Sequence, residues 1–104
     1  MIGRAAEKVK EGKLIKITVD YNNIINKVKI TGDFFLHPEE GIESIEKNLF
    51  GLKIDSSEET ITNIIMNIIR EEDITIIGVT SEDIARVVKK AISHEMEDST
   101  NTKL

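Results

Sequence analysis

At 104 residues, 39% hydrophobic and 32% charged, the chain is expected to form one soluble domain around a single core. It has no cysteine, which excludes disulfides, thiolate metal sites and a cysteine nucleophile. It shows neither a charged-then-apolar leader nor an apolar run of roughly 18 residues, so a cytoplasmic protein without a membrane span is expected. The net charge of −5 is unevenly spread. Residues 1–31 carry seven Lys/Arg against three acids, and residues 32–104 carry seven against sixteen. A basic beginning without stacking aromatics is not a nucleic-acid footprint. It is either a solvated surface or a sheet face that meets an acidic protein partner.

In chain order, Ala5 to Lys10 fits a short helix or an edge strand, and the Glu11-Gly12 turn ahead of a strong strand favours strand–turn–strand. From Lys13 to Tyr21, Ile15, Ile17, Val19 and Tyr21 alternate with Lys16, Thr18 and Asp20, the period of a half-buried strand. Asn22-Asn23 suits a tight turn with positive φ angles. The chain then returns as Ile24 to Thr31, where Val28 and Ile30 alternate with Lys27, Lys29 and Thr31.

Gly32 ends that strand, with backbone freedom as the expected reason, and Asp33 is placed to bond a nearby backbone amide. Phe34-Phe35-Leu36 forms an apolar corner. Pro38 opens a helix running to about Phe50, with Glu39 and Glu40 in its first turn and Ile42, Ile45, Leu49 and Phe50 as its apolar stripe. Gly51 fits a C-terminal cap. A second helix begins at Ser56 or Ser57, with Ser56 and Glu59 spaced as a capping box. Its stripe is Ile61, Ile64, Ile65, Ile68 and Ile69, with Thr62 on the solvated side. Ile74 to Val79 is a short apolar run that is either a strand or a buried loop. Thr80 and Asp83 then cap a third helix with the stripe Ile84, Val87, Val88, Ala91 and Ile92. A polar tail covers 94–104 and is expected to be disordered. One-sided helices and a one-sided sheet share a solution: a two-layer α+β domain over residues 1–93, with an antiparallel meander of two or three strands against about three helices.

Catalytic chemistry finds little to stand on. His37 and His94 lie far apart in sequence, and Asp33 beside His37 reads more simply as a turn residue next to a helix N-terminus than as a base with its orienting carboxylate. No convergent metal ligands and no glycine-rich phosphate loop occur. The serines stand where helix caps belong. An independent enzyme is therefore not expected. What exceeds the needs of a plain domain is Gly32-Asp33-Phe34-Phe35-Leu36, whose aromatics serve either the core or another protein.

Gly12 to Ile17, then Val28-Lys29-Ile30-Thr31-Gly32-Asp33-Phe34-Phe35-Leu36-His37-Pro38-Glu39-Glu40, resembles the C-terminal accessory domain of lipoate–protein ligases. Gly51-Leu52 and Ile77-Gly78-Val79-Thr80-Ser81-Glu82-Asp83-Ile84 continue the likeness, which runs from Gly12 to Ile92. In that family a large catalytic domain holds lipoate, ATP and the catalytic lysine, and the small domain is fused to it or encoded separately. The resemblance implies the separate, non-catalytic subunit of a bipartite ligase that supports ATP-dependent formation of lipoyl-AMP. It implies no cofactor on this chain alone, with lipoate, ATP and Mg2+ used by the complex. The implied partners are the catalytic large subunit, as a heterodimer, and lipoyl carrier domains, with no nucleic acid and no membrane. Gly32, Asp33, Phe34 and Phe35 become the expected partner interface. Lys13, Lys16, Lys27 and Lys29 become candidate electrostatic contacts, to the carrier or to the large subunit. The alternative is a stand-alone protein-interaction adaptor of the same fold with no lipoate role.

Overall fold

The computed structural model describes residues 1–9 and 12–93. Among these residues, β1 (Ile2–Lys8), β2 (Leu14–Tyr21) and β3 (Ile25–Gly32) form an antiparallel sheet in that order. β4 (Phe35–His37) and β5 (Thr75–Ile77) form a separate two-stranded ribbon. The helices are α1 (Gly41–Leu49), α2 (Glu58–Glu71) and α3 (Ser81–Ser93). α3 lies on β1 and β2, α1 lies on β3, and α2 packs against both helices. The result is the expected two-layer α+β arrangement, with the β1 segment resolved as a strand. Most of residues 1–93 lies in this unit; the tail at 94–104, with His94, is outside the described residues, as are residues 10 and 11.

Burial follows the alternation. Ile15, Ile17, Val19 and Tyr21 face the helices and are buried, opposite Ile30, Val28 and Ile25 of β3. Val9, Ile45, Leu49, Ile61, Ile65, Ile84, Val87 and Val88 complete a core of branched aliphatics. Removing one of the fully buried isoleucines to alanine would cost about 2–5 kcal/mol. The free edge of β3 is closed in two ways. The Ile30 amide donates to Glu46 Oε2 at 2.7 Å, and Ile25 exchanges bonds with Gly51 and Leu52. The Ile25 and Ile30 amides are thereby withheld from pairing with another strand.

Several local expectations are corrected. Asn22 and Asn23 do not take positive φ; among non-glycine described residues that belongs to Asp73. The turn is a longer one, with a β-bulge beside Tyr21 and the Asn22 amide donating to Ile24 O at 3.0 Å. Helix α1 starts at Gly41, not Pro38, because Pro38 to Glu40 form a turn closed by Gly41 N–H to Pro38 O. Glu39 and Glu40 thus precede the helix, and Glu43 is its first-turn acid. Phe50 leaves the stripe: it sits past the last helical residue in extended backbone and is exposed, while Gly51 takes the left-handed φ of +90° expected of a C-terminal glycine. Ser57, not Ser56, caps α2, accepting from the Thr60 amide at 3.0 Å. Thr62 is buried, its hydroxyl donating to Glu58 O. Thr80 and Asp83 do cap α3 reciprocally, at 2.9 and 3.0 Å.

Candidate functional site

The corner after β3 is held by backbone geometry. Asp33 N–H donates to Leu14 O at 3.1 Å, and Asp33 Oδ1 accepts from Leu14 N–H at 2.6 Å. The carboxylate thus does bond a backbone amide, but one on the neighbouring strand. Glycine at 32 is required by space, since its φ is not left-handed. A methyl group there would lie 2.3 Å from Leu14 O and 2.8 Å from the Phe34 ring. Phe34 is half-buried on the core, with its Cβ beside Gly78, so Gly32, Asp33 and Phe34 build the corner.

Phe35 points the other way. It stands opposite Ile77 in the β4–β5 ribbon, and Leu36 stands opposite Ile76. Alternation sends Leu36 and Ile76 toward the core and leaves Phe35 and Ile77 outside, 57% and 59% exposed. Directly opposed residues on one face have Cβ atoms about 5 Å apart, so the two form one apolar patch. Ile74 to Val79 is therefore a strand in its middle, and Ile77 is the site residue that reading the chain alone did not single out. The available signal was Thr75-Ile76-Ile77 pairing with Phe35-Leu36-His37, too short to show a period. Asp33 is engaged with Leu14, and His37 is exposed, opposite Thr75.

The lysines divide. Lys16 on β2 and Lys27 and Lys29 on β3 are exposed on the sheet face away from the helices. Lys13 is elsewhere: its stem lies beside Gly78 at the corner, where a methyl group on that glycine would be 3.0 Å from Lys13 Cγ. On the outer face Lys16 has Ala6 and Thr31 as cross-strand neighbours, and Lys29 stands opposite Thr18, which stands opposite Arg4. Among the described residues no group of three or more His, Cys, Asp or Glu side chains is placed to hold a metal ion. No helix among them is long and apolar enough to cross a membrane.

Comparison with known proteins supplies the family. The model of the bacterial lipoate protein ligase C-terminus matches residues 5–88. Lipoate-protein ligase A subunit 2 of Thermoplasma acidophilum is 39% identical over 83 residues, covering 79% of this chain and 82% of the relative. A solved chain from an archaeal lipoylation system of that organism, described as a bi-partite lipoate protein ligase and its E2 lipoyl domain, superposes with a TM-score of 0.66 at 31% identity. The match covers 85% of this chain and 97% of that one. The α+β unit around the Gly32–Phe35 corner thus belongs to the lipoate protein ligase C-terminal family.

Proposed function

We propose that this chain is the non-catalytic accessory subunit of a bipartite lipoate–protein ligase. In this reading it docks on a separate catalytic subunit and supports ATP-dependent conversion of lipoate to lipoyl-AMP in protein lipoylation. The observation that carries the proposal is the similarity, across about four-fifths of each chain, to a protein named lipoate-protein ligase A subunit 2. The geometry supports it. Phe35 and Ile77 form an exposed apolar pair on the two-stranded ribbon, the kind of anchor that a subunit interface buries. Gly32, Asp33 and Phe34 hold that ribbon in place.

An accessory domain without reacting groups acts on the chemistry by position. Docked beside the catalytic subunit, it would order substrate loops and keep water from the acyl-adenylate, a mixed anhydride that hydrolyses readily. Lipoate, ATP and Mg2+ belong to the complex in this reading. The test is lipoate-dependent pyrophosphate release from ATP by the cognate catalytic subunit, with and without this chain. A large rise on mixing is expected. No rise, with no complex on gel filtration, would leave a stand-alone adaptor of the same fold.

A further inference from the structure

The accessory reading uses the ribbon and leaves the outer face of the three-stranded sheet without a role. We propose that this face is the docking surface for an acidic, folded carrier domain, the protein that receives the acyl group; this rests on the accessory-subunit reading.

The register places the residues. One row runs Arg4, Thr18, Lys29 across the three strands; the next runs Ala6, Lys16, Thr31. Lys8 stands opposite Leu14 beyond them, and Lys27 beside Asp20 on the other side. Among the described strand residues five cations share the face with one acid, Asp20, in a chain that has 19 acids to 14 Lys and Arg overall. On the β3 side Glu43, Glu46 and Lys47 of α1 line one hollow with Arg4, Asp20, Lys27 and Lys29, so acids meet the cations there, and the part of the face without acids is that of Lys8 and Lys16. Even with the acids at its α1 side the face keeps an excess of cations, which solubility alone does not call for, because like charges close together on a sheet repel. The buried alternation of β2 and β3 turns the core to the opposite face, and α1 reaches this one only at its rim.

Between the cations the face carries small side chains: Ala6, Thr18 and Thr31. It carries no aromatic side chain on which a base could stack, as single-stranded nucleic-acid surfaces do. A folded protein surface of opposite charge fits it instead. The kinds of contact also differ in kinetics. A catalytic subunit that stays bound is served by the apolar Phe35–Ile77 pair. A carrier must arrive, be acylated and leave, and exposed charge raises the association rate without slowing departure greatly.

The test uses the complex of this chain with its catalytic subunit and an acidic carrier domain. Lys16→Glu and Lys29→Glu are combined, with Lys16→Arg and Lys29→Arg as the charge-keeping control. Acyl transfer is followed against carrier concentration at low and physiological salt. The expected result is a carrier KM raised about ten-fold at low salt with kcat unchanged, a difference that shrinks as salt is added. The arginine pair should behave as wild type, and carrier-free pyrophosphate release should not change. An unchanged carrier KM would overturn the inference. Loss of subunit assembly would overturn it too, by giving the face to the catalytic subunit. Failure of the accessory reading reads out separately, as a wild-type chain that does not raise pyrophosphate release.

Discussion

Glu7 on β1 and Arg86 on α3 meet at 2.6 Å, joining the first strand to the last helix. The same guanidinium reaches Asp83 at 2.7 Å, and Lys90 lies 3.1 Å from the other Glu7 oxygen. The Arg86 hydrogen bond holds the Glu7 carboxyl below its ordinary 4.5; partial burial opposes this and Lys90 adds to it. For Asp83, burial pushes the carboxyl up, but bonds from Arg86 and from the Thr80 amide and hydroxyl outweigh it and leave the net shift downward from 3.8. Both carboxylates raise the pKa of Arg86 in return.

A pH dependence follows from the sign of those shifts. Each carboxylate binds protons less readily in the folded chain than in the unfolded one. Its contribution is therefore present above the unfolded value and is lost as pH falls through the folded one. The thermal midpoint should stay level from pH 7 to about 4.5 and drop below that. Arg86 is 38% exposed, so solvent screens the pair and its worth is about 0.5–1 kcal/mol. Glu7→Gln should lower the midpoint at pH 7 by about 3–5 °C and flatten the acid limb. A variant whose midpoint falls as steeply in acid as wild type would show that other carboxylates govern that limb.

Gly3 faces the end of α3. A methyl group at this position would lie 1.8 Å from the Ala91 carbonyl oxygen and 2.8 Å from its carbon. Because the obstacle is backbone, the helix itself must move. Gly3→Ala should cost about 2–3 kcal/mol in urea unfolding. Gly12 is the control: it has a φ of +82° with nothing within 4 Å of a methyl group, so its alanine variant bears only conformational strain, about 1 kcal/mol. Equal costs at the two positions would deny the close approach.

What could be read from the chain alone was what repeats locally. The alternation of Ile15, Ile17, Val19 and Tyr21 and the isoleucine stripes of α2 and α3 needed no tertiary information, and all were placed as the structure has them. Asp33 was legible as a residue bonding a backbone amide, but not as a clamp on Leu14, because strand register decides which amide comes near. β4 was not legible. Three residues show no period, and their partner Thr75–Ile77 lies on the far side of two helices in sequence. Phe50 was misplaced because spacing assumes the helix continues, whereas it ends at Leu49. Gly3 and the Glu7–Arg86 pair had no signal at all, since each depends on where α3 comes to rest.

The Asp33 clamp makes its own prediction. Asp33→Ala removes the acceptor of the Leu14 amide at an exposed strand end, which should cost about 1 kcal/mol. Hydrogen exchange at the Leu14 amide should quicken by roughly five- to ten-fold. Asp33→Asn keeps an acceptor oxygen and should restore most of the protection. An exchange rate unchanged in the alanine variant would show that the carboxylate does not hold that strand end.

Phe35 and Ile77 separate docking from folding. Both are more than half exposed in the free chain, so Phe35→Ser and Ile77→Ser should each change unfolding stability by about 0.5 kcal/mol or less. Phe34→Ser, one residue away but half-buried on the core, should cost more than either. If the catalytic subunit buries the ribbon, each outer substitution should weaken its binding by about 2–3 kcal/mol, roughly 30- to 150-fold in Kd by titration calorimetry. Because the two side chains are cross-strand neighbours, the double variant should lose less than the sum of the singles. Affinity unchanged in both single variants, with folding intact, would remove the ribbon from the interface and send the search to Phe50 at the β3 edge. Affinity lost only with Phe34→Ser would mean that the corner serves the fold and not the partner.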